Sequence, residues 1–314
     1  MTPCASRARS KWGAGGRGKI EVARPMISVS RRGLLLAAGA AAALAACGPR
    51  KAEKPPAQKA SGAGSIEAAV GGAWRPPADR ARDVWRHPVE SLKFWGLKPG
   101  QTVVEFWPGA GWYTDILAPF LAATGGKLYL ANLEATDPTA AAAVEAFNRR
   151  LTENPRVFGK VETTAFGPTS GPVAPAGAAD LVLFLRNLHN WMAAGIAEKA
   201  FRDAFAALKP GGLLGVEEHR ADAGGVPDVL AADGYVQQAY VVQLAQEAGF
   251  VLQEASEINA NPADTKDHPF GVWTLPPTAR TSPRGEAPDP TFDRARYDAI
   301  GESDRMTLRF VKPA

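Results

Sequence analysis

Residues 103–114 read VVEFWPGAGWYT, and the fold turns on how this stretch is taken. Val103, Val104 and Phe106 make a short apolar run suited to a buried strand, which Pro108, Gly109 and Gly111 stop abruptly. Glycine permits a tight turn and a close backbone approach to a ligand, where a Cβ would clash. From Trp112 the pattern WYTDILAPFLAA sets apolar residues at helical spacing, so the turn opens a helix. The first N–H groups of that helix point at whatever occupies the loop, which suits a polar, nucleotide-like ligand. An ordinary glycine-rich turn has the same pattern, so the rest of the chain must arbitrate.

Outward from the loop, strand-like and helix-like segments alternate without internal repeats. This is the rhythm of an α/β doubly wound sheet. Residues 127–132 (KLYLAN) predict the second strand and 139–151 its helix, 161–166 a third strand, and 180–185 (DLVLFL) a fourth, buried on both faces. A helix over 193–208 ends at Lys209-Pro210-Gly211-Gly212, and 213–216 follow as strand five. Residues 235–248 are amphipathic and 250–258 predict strand six. The stretch 259–304 breaks the rhythm, with only 270–275 strand-like, before a seventh, alternating strand over 305–311 (RMTLRFV).

Spacing narrows the ligand. A dinucleotide fingerprint needs a third glycine where Thr114 stands, which demotes NAD. Glu105 followed by Pro108-Gly109-Ala110-Gly111 instead resembles motif I of the class I S-adenosylmethionine-dependent methyltransferases. The resemblance implies a Rossmann-like, mostly parallel sheet whose last strand pairs antiparallel between strands five and six. It implies S-adenosylmethionine as cofactor, with Gly109 and Gly111 under its amino-acid part, Glu105 holding its ammonium directly or through water, and Trp107 beside them as a further cofactor contact. In that family an acid ends strand two and holds the ribose; here Asn132 stands there, with Glu134 two residues later. The Leu-Lys-Pro-Gly-Gly ahead of strand five is a second familiar element. Arg86-His87-Pro88, residues 107–114, Arg186-Asn187-Leu188-His189-Asn190-Trp191 and Glu218-His219-Arg220 together resemble one set of bacterial predicted methyltransferases, often with export signals, over about residues 73–314.

In a doubly wound sheet the ligand lies across the carboxyl ends of the strands. His189 and His219 there are candidate bases for an acceptor proton, and Asn187 and Tyr113 complete the candidate catalytic set. Arg86, His87, Arg186, Trp191, Glu218 and Arg220 are candidate contacts for a small-molecule acceptor. Trp107, Trp112, Tyr113 and Trp191 suit stacking or a cation–π contact with the sulfonium, and equally suit core packing. No His-x-x-x-His spacing supports a metal, and none is assigned.

The formal charge of +4 is uneven: residues 1–60 hold 12 Lys/Arg against 2 Asp/Glu, and the remainder holds 24 against 30. No basic surface remains for nucleic acid, and no protein partner is evident. The basic excess belongs to a leader in which Ser30-Arg31-Arg32-Gly33-Leu34-Leu35 resembles a twin-arginine export signal and Leu44-Ala45-Ala46-Cys47 a bacterial lipobox. Cys47 is then the lipidated first residue and the membrane anchor, in the periplasm. Met26 is read as the start, with 1–25 an extension, 26–47 the signal, 48–72 a Pro/Ala/Gly/Lys-rich tether and 73–314 the folded domain. Cys4 is the one other cysteine, so the mature domain has no disulfide or cysteine metal site. Export sets the domain apart from cytoplasmic S-adenosylmethionine. The competing expectation is therefore an exported binding or hydrolytic protein that reuses the same mouth.

Overall fold

A computed structural model describes residues 63–314; the leader, Cys47 and most of the expected tether lie outside the described residues. Four short helices come first: α1 (Ile66–Val70), α2 (Pro77–Arg80), α3 (Asp83–Arg86) and α4 (Pro88–Phe94). The first lies inside the stretch expected as tether, because Ser65 Oγ caps it by accepting from Ala68 N at 3.1 Å and Ile66 and Ala69 are buried.

The sheet is then wound by β1 (Thr102–Phe106), α5 (Thr114–Thr124), β2 (Lys127–Leu133), α6 (Pro138–Glu153), α7 (Pro155–Phe158), β3 (Val161–Phe166) and β4 (Ala179–Leu185). Asp137 caps α6, its carboxylate accepting from Thr139 N and Ala140 N, both at 2.9 Å. The second half is α8 (Leu188–Ala193), α9 (Ala197–Ala207), β5 (Leu208–His219), α10 (Gln238–Glu247), β6 (Val251–Ser256), α11 (Ala295–Ile300) and β7 (Arg305–Val311). The strand order is β3-β2-β1-β4-β5-β7-β6, with β7 antiparallel to both β5 and β6 and the other pairs parallel. This is the seven-stranded arrangement, antiparallel last strand included, that the resemblance implied.

Alternation along β1 and β4 feeds two cores. Val104, Phe106, Val182 and Phe184 pack on one face with Trp191 and Phe201. Val103, Leu181 and Leu183 pack on the other with Trp95, Tyr113, Ile116 and Leu121. Each such side chain contributes roughly 1.5–3 kcal/mol by leaving water.

Three expectations are corrected. The helix predicted over 193–208 starts later, at Ala197: Ala193 is the last residue of a preceding helix, α8, and the chain turns between them at Gly195 with φ 68°. Strand five begins at Leu208: Gly211 N donates to Lys312 O at 2.8 Å and Lys312 N to Gly212 O at 2.9 Å, so the Lys-Pro-Gly-Gly stretch runs within the strand. Residues 270–275 are not a strand but a 3-10 turn, Gly271–Thr274. Gly271 has φ 58° and lies so close to the Asp233 backbone that a Cβ would come within 2.2 Å of its oxygen.

Candidate functional site

Among the described residues, two of the cavities at the carboxyl edge of the sheet are walled by several expected site residues. The first, of about 240 Å³, is walled by Trp107, Gly109, Asn132, Val144, Phe147 and Asn187, among others. Its floor is the loop after β1, where Trp107, Gly109 and Gly111 have φ of 44°, 60° and 91°. A tryptophan in the left-handed region is strained and persists only if its surroundings fix it. Here Trp107 N donates to Ala131 O at 2.9 Å, its Nε1 to Phe166 O at 2.8 Å, and Asn187 Nδ2 donates to Trp107 O at 3.0 Å. A Cβ on Gly109 would meet nothing within 4 Å, whereas one on Gly111 would lie 2.6 Å from Phe147 Cε2. Gly109 therefore keeps the cavity open and Gly111 lets α6 close over the loop.

Around this cavity the expected cofactor residues divide. Asn132 is buried on the wall, its Nδ2 donating to Asn148 Oδ1 at 3.1 Å. Glu134 is not on the wall: its carboxylate is taken by Thr169 N and Thr169 Oγ1, which ties two loops. Glu105 is also off the wall, buried, with Oε2 accepting from Thr114 Oγ1 at 2.7 Å at the start of α5. Burial pushes its carboxyl up to about 7, against the opposing effect of the Thr114 hydrogen bond.

The second cavity, of about 230 Å³, is lined by Arg86, Arg186, His189 and His219 together with Trp273, Glu302 and Ser303. The consecutive residues Arg186 and Asn187 line one cavity each. His189 is buried, and its Nδ1 lies 2.9 Å from Glu218 Oε1. Glu218 is fully buried and also accepts from Leu188 N at 2.6 Å, His189 N at 3.3 Å and His219 N at 2.8 Å. A carboxylate so occupied assigns the proton to Nδ1 and leaves His189 Nε2 as the basic atom. His219 Nδ1 lies 2.6 Å from Ser303 Oγ, and the two imidazole centroids are 5.2 Å apart. Burial, then His189 and the nearby arginines, push His219 well below its ordinary value, so it is neutral near pH 7.

His189, Glu218 and His219 offer ligand atoms within 4.8 Å of one another. Glu218 nevertheless has its oxygens filled by N–H donors, and two guanidinium groups border the histidines. This chemistry fits an oriented base better than a cation site.

Behind the cavity runs a buried ion-pair chain. Glu302 accepts from Arg82 Nε at 2.7 Å, Arg86 Nε at 2.8 Å and Arg305 Nη1 at 2.7 Å. Glu217 lies 2.9 Å from Arg186 Nη1 and 3.0 Å from Arg305 Nε, and accepts from Tyr113 Oη at 3.0 Å. Burial opposes the charge of Arg186, but Glu217, Tyr113 and Glu302 outweigh it and leave its pKa raised.

Several expected residues stand elsewhere. Tyr113 is 1% exposed with its hydroxyl spent on Glu217, so it is a strut rather than a catalytic group. Trp191 is fully buried against Phe106, Phe166 and Phe184 and packs the core. His87 links α3 to α4 at φ 39° and is off the cavity wall. Arg220 faces a different groove, pairing with Glu257 and Asp304 at 2.7 and 2.9 Å. The sequence reading missed Trp273, Glu302, Ser303 and Arg305. They lie in or beside the irregular stretch 259–304; the antiparallel pairing of β7, with His219 opposite Arg305, brings Glu302, Ser303 and Arg305 to the site, and the 3-10 turn sets Trp273 edge-on to His189. The signal available was the polar run Glu302-Ser303-Asp304-Arg305 just ahead of an apolar strand.

No family model matches the chain, and no curated protein matches it. Among solved structures it is similar to a SAM-dependent methyltransferase from Aquifex aeolicus, at 19% identity and TM-score 0.45 over 57% of this chain and 87% of that one. It is also similar to the [4+2]-cyclase SpnF, at 17% identity and TM-score 0.46 over 77% and 83%. A third is an S-adenosylmethionine dependent methyltransferase from Mesorhizobium loti, at 12% identity and TM-score 0.42 over 71% and 96%.

Proposed function

We propose that the chain binds S-adenosylmethionine against the glycine loop and transfers its methyl group to a small acceptor seated in the histidine–arginine cavity. The observation that carries this is the pair of cavities side by side at the carboxyl edge, one mostly apolar and glycine-floored, the other polar and holding an oriented histidine. The first fits the cofactor: Gly109 presents bare backbone, Val144 and Phe147 offer apolar surface for a flat ring, and Asn132 and Asn187 add amide groups. When bound, the cofactor supplies a methyl group already activated on sulfur. The protein's own work is to align the acceptor and take its proton at His189 Nε2, with Glu218 holding the ring.

The test is thermal unfolding of the purified protein with S-adenosylmethionine or S-adenosylhomocysteine at millimolar levels. Binding to the folded state raises the midpoint, by about 2.7 kcal/mol of stability at a hundred times Kd. No rise with either compound sinks the reading and leaves the binding or hydrolytic protein.

The proposal includes anchoring outside the cytoplasm at Cys47, supported by the paired Arg31-Arg32 and the Leu44-Ala45-Ala46-Cys47 run. Twin-arginine export moves folded proteins, so cofactor bound beforehand would travel with the domain. Mass spectrometry of the chain extracted from its membrane fraction would show a lipidated Cys47; an unmodified Cys47 in a soluble fraction would refute the anchor.

A further inference from the structure

The histidine–arginine cavity holds more donors than the protein itself uses. Arg86 is 5% exposed and lines the cavity, yet only its Nε is engaged, at 2.8 Å from Glu302 Oε2. Among the described residues its two Nη nitrogens have no acceptor, although Trp112 holds the guanidinium 4.7 Å above its ring. Arg186 gives Nη1 to Glu217 and leaves Nε and Nη2 without a protein acceptor among the described residues. None of these nitrogens is sealed away from open space. The carboxylate on the same wall, Glu302, is already matched by three arginines.

Placing two guanidinium groups so near one another is costly. Burial first, and then repulsion from Arg186, pull Arg86 down to about 9. An anion between them relieves the repulsion and offsets the burial of charge, and guanidinium forks match carboxylate and phosphate oxygens in bidentate fashion. Other cavity residues supply what the rest of such a ligand needs: His189 Nε2 and neutral His219 for its polar atoms, and Trp273 with Pro276 for an apolar body. About 230 Å³ admits one ring and a charged group, not a folded partner.

We propose that the acceptor is a small carboxylate or phosphate monoester whose charged end bridges Arg86 and Arg186 and whose apolar body lies against Trp273. The word acceptor rests on the methyl-transfer reading; the anion site does not. The cofactor's own carboxylate is the other source of the same chemistry, and the experiment separates the two.

Titration calorimetry on the full chain uses benzoate and phenyl phosphate as probes and benzamide as the neutral match, with and without saturating S-adenosylhomocysteine. At least one of the anions binds, about tenfold or more tighter than benzamide, and still binds when S-adenosylhomocysteine is present. Arg86→Gln weakens the anion about tenfold or more, and Arg86→Lys recovers part of the loss. Arg82→Gln, which touches Glu302 from outside the cavity, leaves affinity unchanged. Equal binding of benzamide, loss of anion binding once S-adenosylhomocysteine is present, or equal weakening by Arg82→Gln would each overturn the proposal. Anion binding without any heat from S-adenosylhomocysteine would sink methyl transfer and leave the anion site standing. The reverse pattern would sink the anion site alone.

Discussion

At the scale of single residues, the site is a set of side chains whose charge states are set by enclosure. Glu218 accepts four N–H donors, one of them from the His189 ring. In Glu218→Gln one oxygen becomes an NH₂ group, which faces donors and lets the imidazole take the other tautomer. Turnover with a true acceptor then falls about a hundredfold while the cofactor's thermal shift is kept, because Glu218 is off the glycine-loop wall. Loss of both together would make Glu218 a folding residue only. Glu105 has the opposite character, a buried carboxyl raised to about 7. A folded pKa above the unfolded value gives stability that is full below about 4.5 and lost as pH rises through 7. Glu105→Gln is therefore more stable than the parent at pH about 8, by on the order of 3 kcal/mol, and the two converge toward pH about 5. Chemical denaturation at both pH values checks this; equal midpoints at the higher pH would show that Glu105 is ionised without cost.

At the scale of elements, the loop between β1 and α5 separates binding from folding. An alanine at Gly109 adopts φ 60° at a cost of about 1 kcal/mol, with its methyl in open cavity space. An alanine at Gly111, with φ 91°, also collides with Phe147 and Arg150. Gly109→Ala should thus keep most of its stability and lose cofactor affinity, whereas Gly111→Ala loses several times more stability; thermal melts with and without S-adenosylhomocysteine separate the two. Elements such as this were the legible part of the chain. Residues 305–311 were read at the bounds they adopt because alternation over RMTLRF ending at Lys312-Pro313 favours a strand; residues 161–166, with weaker patterning but β-branched Val161, Thr163 and Thr164 ahead of Gly167, were also read at their bounds. The short helix α8 and the turn at Gly195 before α9 were not legible, since one glycine near helical periodicity does not announce its φ. The VWTL alternation after Gly271 was misread because the contact that forbids a strand there is made with Asp233, nearly 40 residues away in sequence. Strand ends placed His189, His219, Arg186 and Asn187 near the cavities, but no periodicity told a wall residue such as His219 from a strut such as Tyr113.

At the scale of the whole molecule, the ion-pair chain joins the amino-terminal helices to the last strand. Arg82 and Arg86 come from the segment before the sheet, Arg305 starts β7, and Arg305 also donates to Trp85 O. Glu302 is the hub, 3% exposed with three guanidinium groups around it. Burial alone would raise its carboxyl, but Arg86, Arg305 and Arg82 outweigh burial and hold it at about 2. A folded pKa below the unfolded one means the stabilisation is full above about 4.5 and is lost as pH falls toward 2. Glu302→Gln keeps the shape and removes the charge, leaving buried arginines uncompensated. The variant should therefore lose roughly 3 kcal/mol near pH 7, and the gap to the parent should close progressively as both are titrated toward pH about 2. Urea midpoints across that range provide the measurement. A gap that stays constant with pH would mean the loss comes from altered packing rather than charge, and the network would then be a passenger of the fold.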